Sequence, residues 1–363
     1  MANMKSTFNI LLLLTTILLV GCKKSPEEIF AEQKSGVVLI CNEFYYDIML
    51  SNGSHIYFTG LDENGDFNGL TSDLDEVKKN PAILNGTGFF IDQTGRILTN
   101  RHVVAPEVDK ATVKKNVNAI IGLYAAYIEE LQDSMSQRYD AIQNYANGTV
   151  SYDEWGNAYT SLSDDDIQVL SQELQNLRDQ YAYAENVKEN VRSNILNDDF
   201  RIQLHSQFGI AYDGDNINSW GDFMKKPCNL LRTSNDADTD LALLQLKSKT
   251  TPQDKYIYEI DPDKAYKADD MKINQPLYMI GYNYGVVLAK TNKGINAQFT
   301  SGTLTQVPDG NRITYSIPAK QGSSGSPVVD DHGRLVAVNF AGSNGSDNFN
   351  FGIPMLRVLT FLK

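Results

Sequence analysis

Three polar residues of this 363-residue chain stand in settings that could support nucleophilic chemistry. His102 follows a short β-like run, Asp240 precedes an apolar run, and Ser324 lies in the loop Gly-Ser-Ser-Gly-Ser-Pro. Acyl transfer by a serine requires a base to accept the hydroxyl proton, a carboxylate to orient that base, and backbone N–H groups to bind the oxyanion. The three residue types supply a nucleophile, a base and a carboxylate, so they predict hydrolysis by acyl transfer.

Each residue alone has an ordinary structural interpretation, and their order along the chain is what favours catalysis. A lone histidine is usually structural, an aspartate before an apolar run is usually a turn residue, and a Gly/Ser cluster is usually a loop. The order here is His, Asp, Ser, whereas α/β-hydrolases have the order Ser, Asp, His. Because His332 is the only histidine after Ser324, the α/β-hydrolase alternative is rejected.

The surroundings of the three residues resemble trypsin-like serine peptidases, especially the HtrA/DegP branch. The resemblance rests on Gly-Thr-Gly-Phe-Phe-Ile upstream of His102, on Thr-Asp-Leu-Ala-Leu-Leu around Asp240, and on the loop that contains Ser324. It covers residues 36–41, 86–105 and 236–354. It implies that Ser324 attacks the carbonyl, that His102 is general base and then general acid, and that Asp240 fixes the imidazole tautomer.

The same resemblance implies an oxyanion hole and a specificity pocket. The backbone N–H groups of Gly322 and Ser324 would bind the oxyanion. Pro318 falls by count at the base of the pocket, with Phe340 and Ala341 on the strand that follows the serine loop. An aspartate at the base would select Arg or Lys, so we expect a preference for small or medium apolar side chains before the scissile bond.

The first 21 residues are typical of an export signal. Lys5 precedes the apolar run 10–20, which is too short to span a bilayer. The run ends in Leu-Val-Gly-Cys22, which resembles the bacterial lipoprotein signal, in which the cysteine becomes the acylated N-terminus. We therefore predict a lipid anchor at Cys22 and a location in the bacterial cell envelope, on the periplasmic or surface face of the outer membrane.

Composition excludes one class of partner and predicts no metal or cofactor. The chain has 32 Lys and Arg against 45 Asp and Glu, and its net charge of −13 would repel nucleic acid.

The acidic cluster that begins at Asp62 departs from a calcium loop because Phe67 stands where glycine is required. Cys41 and Cys228 could form a disulfide in an exported protein, but two buried free thiols are favoured.

The hydrophobic pattern changes twice along the chain. Two series of short β-like runs flank a region of helical period, in which Val117, Ile120, Tyr124, Tyr127 and Leu131 are spaced by three or four residues. The period resumes from Ile167 to Ile195 after a polar break. It predicts an antiparallel coiled-coil hairpin whose apolar seams cover one another.

These patterns predict a mainly β protein: a trypsin-like double antiparallel β-barrel with an inserted α-helical hairpin. The expected divisions are signal peptide 1–21, tether 22–34, first barrel with the histidine 35–112, hairpin 113–197, return to the first barrel with the aspartate 198–250, and second barrel with the serine 251–363. HtrA/DegP proteins usually carry PDZ domains, and none is expected in the nine residues that follow Pro354.

The predicted function is a serine endopeptidase that cleaves protein or peptide substrates through a Ser-His-Asp acyl-enzyme mechanism. The alternative is a surface lipoprotein in which the peptidase body is a scaffold and the hairpin binds a partner protein or holds unfolded chains. An intact triad favours the enzyme.

Overall fold

The computed structural model describes residues 23–236, 238–262, 271–342 and 349–363, without the side chains of Ala341 and Gly342. The predicted signal segment and the predicted lipidation site Cys22 lie outside the described residues. The helices are α1 Pro26–Gln33, α2 Leu74–Lys79, α3 Arg101–Val104, α4 Lys110–Gly148, α5 Asp164–Ser193, α6 Val286–Ala289 and α7 Met355–Leu362. The strands are β1 Val37–Met49, β2 His55–Phe58, β3 Gly60–Leu61, β4 Phe67–Asn68, β5 Ala82–Phe90, β6 Arg96–Thr99, β7 Val150–Tyr152, β8 Ala158–Thr160, β9 Ile202–Tyr212, β10 Pro227–Thr233, β11 Ala242–Leu246, β12 Pro276–Gly281, β13 Lys290–Thr291, β14 Gly294–Ile295, β15 Gln298–Thr303, β16 Ile313–Tyr315, β17 Pro327–Asp330, β18 Leu335–Gly342 and β19 Asn350–Pro354.

The first sheet closes into a barrel. Its strand order is β2-β1-β5-β6-β11-β10-β9, and β9 also pairs with β1. Alternate residues of β1 enter different cores: Val38 and Ile40 lie in a cluster formed by this sheet, whereas Val37 and Leu39 join a cluster shared with the second sheet. Because both faces are buried, this part of β1 is a continuous apolar run and does not alternate with polar residues.

The second sheet has the order β15-β12-β17-β18-β19-β16. Its two end strands are linked by the bridge between Leu304 and Tyr315. Its own core contains Leu277, Met279, Tyr315 and Val328. The predicted double β-barrel fold with an α-helical insertion is confirmed.

Several predicted elements differ in detail. The run Val286–Ala289, one of the short β-like runs of the second series and hence predicted to be a strand, is one turn of helix that follows positive φ angles at Tyr284 and Gly285. Strands β9, β10 and β15 were not predicted, because their polar residues hide the alternation on which strand prediction depends.

The residues predicted to be a tether form structure from Ser25 onward. Ser25 caps α1 with a capping box, and both Ile29 and Gln33 are fully buried. The Gln33 Nε2 group donates to the Gly333 carbonyl at 2.6 Å, and the Lys23 ammonium lies 2.8 Å from Asp331. Residues 23–34 therefore pack on the turn between β17 and β18, a long-range contact that their charged sequence does not indicate.

The chain divides into two compact units. One unit comprises residues 23–44, 81–107 and the described residues after 204, and the other comprises residues 45–80 and 108–204. Residues 45–80, which include the end of β1 and all of β2, group with the helical insertion in this division, and the expected domain boundaries stay a prediction. Within that second unit, Asn116 Nδ2 donates to the Gly65 carbonyl at 2.6 Å, and the Asn52 amide donates to Asn194 Oδ1 at 3.1 Å.

Helices α4 and α5 form an antiparallel pair, as the ion pair of Arg192 with Glu129 and that of Arg138 with Glu173 show. The predicted seam of α4 is largely wrong. The buried residues are Val113, Val117, Ile121, Ala125, Ile128 and Gln132, and the exposed residues are Ile120, Tyr124, Tyr127 and Leu131. Since α4 carries apolar side chains on two adjacent faces, spacing alone fits either face, and tertiary contacts decide which is buried.

Cys41 and Cys228 are buried free thiols, as predicted. Burial raises the pKa of each thiol to about 12, so both stay protonated near neutral pH and neither is a competent nucleophile. Among the described residues, no helix is both long and apolar enough to cross a membrane.

The packing of α1 gives a stability prediction. Replacing Ile29 by alanine removes a fully buried side chain and should lower the free energy of unfolding by about 2–5 kcal/mol. Glu27→Ala, an exposed change on the same helix, is the matched control and should alter it by less than about 0.5 kcal/mol. Denaturant titration of both variants is the measurement, and equal midpoints would show that α1 does not contribute to the core.

Candidate active site

The predicted base and the predicted carboxylate are in contact. Asp240 Oδ2 lies 2.5 Å from His102 Nδ1, and Asp240 Oδ1 accepts a hydrogen bond from the His102 backbone amide at 2.9 Å. The Asp240 carbonyl accepts from Asn100 Nδ2 at 2.8 Å. The carboxylate therefore fixes both the backbone and the ring of His102, and it favours the tautomer with a proton on Nδ1.

The strand pairing explains why these residues meet. Strands β6 and β11 are antiparallel, with Thr99 opposite Ala242. His102 lies three residues after Thr99, in the single turn α3, and Asp240 lies two residues before Ala242. The two side chains thus emerge at the same end of the strand pair, where the His102 side chain is 45% exposed and that of Asp240 is 16% exposed.

The loop that leads to Asp240 is tied to the C-terminal helix. Thr239 Oγ1 donates to Asp236 Oδ2 at 2.8 Å and accepts from Arg357 Nη1, a residue of α7, at 2.8 Å. The hydrogen bond from Thr239 is the largest cause of a lowered pKa for Asp236. These contacts restrict the backbone next to Asp240 and so help to hold its carboxylate toward His102.

The serine loop depends on two glycines with positive φ. Gly322 has φ +94°, and a Cβ there would lie 2.4 Å from the Tyr282 carbonyl oxygen. Gly325 has φ +87°, and a Cβ there would lie 2.1 Å from the Thr87 carbonyl oxygen. Any other residue would meet both backbone strain and a collision with backbone atoms, so the close approach of this loop requires glycine at both positions.

The amides of the serine loop fall into two groups. Those of Ser323, Gly325 and Ser326 donate to the carbonyls of Lys320, Asn339 and Ser323 at 2.8–3.0 Å. Within the part of the chain that the structure describes, no group accepts a hydrogen bond from the amides of Gly322 or Ser324. These are the two amides predicted to bind the oxyanion, and both are available to an incoming acceptor.

The Ser324 side chain is half-buried. No hydrogen bond joins its hydroxyl to His102 among the described residues. Hydrogen bonds between nucleophile and base are often long before substrate binds. The structure thus brings His102 and Asp240 into contact, and it joins the serine loop to the first sheet through a third residue, Thr87.

Thr87 connects the serine loop to the first barrel, and the sequence analysis did not single it out. Its amide donates to the Ser324 carbonyl at 2.8 Å, and its Oγ1 donates to the Gly322 carbonyl at 2.7 Å. The same Oγ1 accepts from the Tyr282 amide at 3.1 Å, and the Thr87 carbonyl accepts from Thr99 Oγ1 at 2.7 Å. The signal that the sequence offered was the position of this threonine between two glycines. The structure shows that its side chain is fully buried.

The residues expected to line the specificity pocket differ in their exposure. Pro318 is exposed. Phe340 is half-buried, with its ring centroid 6.3 Å from that of Phe351. Ala341 lies in β18, with its side chain outside what the structure describes. The preference for small or medium apolar side chains stays a prediction.

The comparisons with known proteins agree with the class that the motifs indicate. Residues 219–338, which include Asp240 and Ser324, match the family described as Trypsin-like peptidase domain, over about a third of the chain. The predicted resemblance to trypsin-like peptidases is thus confirmed over those residues.

Two particular proteins show the same similarity. "Protease Do-like 5, chloroplastic" of Arabidopsis thaliana is 29% identical over 133 residues, which cover 34% of this chain and 38% of that relative. The chain therefore matches well under half the length of this curated relative. The crystal structure of the serine endoprotease from Yersinia pestis aligns over 94% of this chain and 66% of its own, with 13% identity and a TM-score of 0.43.

The contacts of Thr87 give a second prediction. Thr87→Val keeps the shape but leaves the Tyr282 amide and the Gly322 carbonyl without their partner, so the free energy of unfolding should fall by about 1–3 kcal/mol. Displacement of the Gly322 peptide should also slow the reaction of Ser324 with a fluorophosphonate by about tenfold or more.

Two further variants separate displacement of the Gly322 peptide from a general loss of stability. Thr87→Ser retains the hydroxyl and should restore most of the reactivity. Thr314→Val alters a buried threonine of the second sheet whose hydroxyl makes only a long contact, 3.4 Å to Gln306, and should leave the reaction rate unchanged. If Thr87→Val and Thr314→Val have equal effects on the rate of reaction with the fluorophosphonate, Thr87 has no special role at the serine loop.

Proposed function

We propose that this protein is a serine endopeptidase, a hydrolase of the trypsin-like type, with His102, Asp240 and Ser324 as its catalytic triad. The observation that carries the proposal is the paired contact of the Asp240 carboxylate with the ring and the backbone of His102. The match of residues 219–338 to trypsin-like peptidase domains supports the same reaction class.

The mechanism follows from the groups at the site. Ser324 Oγ attacks the carbonyl carbon of the scissile peptide while His102 Nε2 accepts the hydroxyl proton. The resulting imidazolium is stabilised by Asp240, which remains ionised. The oxyanion binds the amides of Gly322 and Ser324, and His102 then donates its proton to the leaving amine. Water repeats the sequence on the acyl-enzyme and regenerates the serine.

The proposed substrates are proteins or peptides, and the proposed location is the cell envelope with a lipid anchor at Cys22. The location is supported by the signal-like sequence of residues 1–21 and by its small residue before cysteine. Several acyl chains on one terminus would suffice for stable anchoring, since each buried CH₂ contributes about 0.8 kcal/mol. Mass spectrometry of the N-terminal peptide from the native organism tests the anchor.

The serine assignment is tested by covalent labelling. A fluorophosphonate should modify Ser324 alone, as identified by peptide mapping, and Ser324→Ala should abolish both labelling and peptide hydrolysis without changing the fold. Ser301→Ala, an exposed serine of β15, is the matched control and should label normally. Hydrolysis by the Ser324→Ala protein at the original rate would reject the proposed nucleophile.

The roles of His102 and Asp240 predict a pH response and a large mutational effect. Asp240→Asn should lower kcat by about 10³–10⁴-fold, because the amide favours the wrong imidazole tautomer. Activity should fall on acidification, because a protonated imidazole cannot accept the serine proton. Steady-state hydrolysis of a small peptide between pH 5 and 8, at about one-unit steps, measures both effects. A flat profile would argue against a histidine base.

A further inference from the structure

The far end of the helical pair carries large side chains on an uncovered β-hairpin. Residues 150–160, here called the hairpin tip, comprise β7, a five-residue turn and β8. Trp155 in the turn is 83% exposed, Tyr152 is 70% exposed and Tyr159 is 58% exposed. Since Tyr159 pairs with Ser151, Tyr152 and Tyr159 project from opposite faces of the two strands. An isolated two-stranded hairpin is marginally stable, and three large exposed aromatic side chains on one short hairpin favour a binding partner.

The turn holds Trp155 in place before any partner binds. Asp153 Oδ1 accepts from the amides of Trp155 at 2.9 Å and Asn157 at 2.8 Å, and Asp153 Oδ2 accepts from Asn157 Nδ2 at 2.9 Å. Gly156 closes the turn with φ +82°. Because the backbone that carries Trp155 is already ordered, less conformational entropy is lost on binding, which favours affinity.

The charge around the hairpin tip is of one sign. Between Arg138 and Arg178 the sequence contains no lysine, arginine or histidine. The seven acidic residues in that stretch are Asp140, Asp153, Glu154, Asp164, Asp165, Asp166 and Glu173. Because Glu173 is paired with Arg138, the other six acidic residues supply the negative charge of this segment. Such a field attracts cationic groups and repels anionic lipid, nucleic acid and a second copy of the same segment.

We propose that the hairpin tip binds a lysine- and arginine-rich segment of a partner protein. The aromatic side chains supply the contact area, and the ring face of Trp155 is the strongest cation–π acceptor among the protein side chains. The carboxylates of this segment supply the charge complementarity that steers a basic segment to the hairpin tip. The inference stands apart from the peptidase proposal, because it uses no residue of the catalytic site.

The two tryptophans of the chain allow a direct test in the full-length protein. Trp220→Phe leaves Trp155 as the only tryptophan, so its emission reports on the hairpin tip alone. Decalysine should change that emission saturably, and the binding should weaken as salt is added. In the reciprocal variant Trp155→Phe, the emission of Trp220, which is 42% exposed, should not respond.

The affinity of the variants for fluorescein-labelled decalysine separates recognition by the hairpin tip from general attraction of a cationic peptide to an acidic protein. Trp155→Ala keeps every carboxylate and should weaken binding by about tenfold, as expected of an exposed aromatic anchor. Trp220→Ala is the matched control and should bind as the unaltered protein does. The triple change of Asp164, Asp165 and Asp166 to asparagine should weaken binding and reduce its salt dependence.

Several outcomes would overturn the inference. One is that Trp155→Ala binds decalysine as tightly as the unaltered protein does, and another is that decaglutamate binds as tightly as decalysine. The others are a stronger emission change with phosphatidylglycerol vesicles than with decalysine, and Trp155-dependent self-association in sedimentation. Fluorophosphonate labelling of Ser324 should be the same in all these variants, so that failure of this inference and failure of the proposed activity are distinguished.

Discussion

The hydroxyl of Thr87 is the group on which the arrangement of the proposed active site most depends. It is fully buried, and it donates to Gly322 while it accepts from Tyr282. The backbone of the same residue donates to Ser324 and accepts from Thr99. A threonine on the first sheet thus holds two segments of the second sheet, and a loss of this group would leave buried polar atoms unpaired.

This constraint explains how two barrels form one site. His102 and Asp240 are brought together by the register of β6 against β11, and the contacts of Thr239 with Asp236 and Arg357 restrict the backbone next to Asp240. The Ser324 loop belongs to the second sheet, and its glycines allow it to approach the backbone of Thr87 closely. The position of the Ser324 loop against the first sheet is therefore set by hydrogen bonds of Thr87, which are more directional than apolar packing.

The sequence predicted the parts of the site that have local signatures. His102, Asp240 and Ser324 lie in short motifs whose residues are adjacent in the chain, and the strand-like runs around them indicated the double barrel. Thr87 was missed because its partners lie 12, 195, 235 and 237 positions away. The packing of Gln33 on Gly333 was missed for the same reason, since no local pattern predicts a contact across 300 positions. The seam of α4 was misassigned because two faces of one helix have similar apolar spacing, and only tertiary contacts distinguish them.

Carboxylates that accept hydrogen bonds from backbone amides recur in this molecule, and two of them have different consequences. At Asp240 the carboxylate accepts from one amide and from the ring of His102, and so fixes a side chain that must remain aligned through a reaction. At Asp153 it accepts from two amides of a turn, and it keeps Trp155 exposed where no described group covers it. In both places ionised oxygen atoms accept hydrogen bonds that water would otherwise donate, which makes the local geometry rigid before a ligand arrives. The same physical device therefore accounts for alignment within the proposed catalytic site and for presentation of an aromatic anchor on the separate helical unit. Since neither device shares residues with the other, the proposed catalysis and the proposed partner binding can be altered independently by substitution.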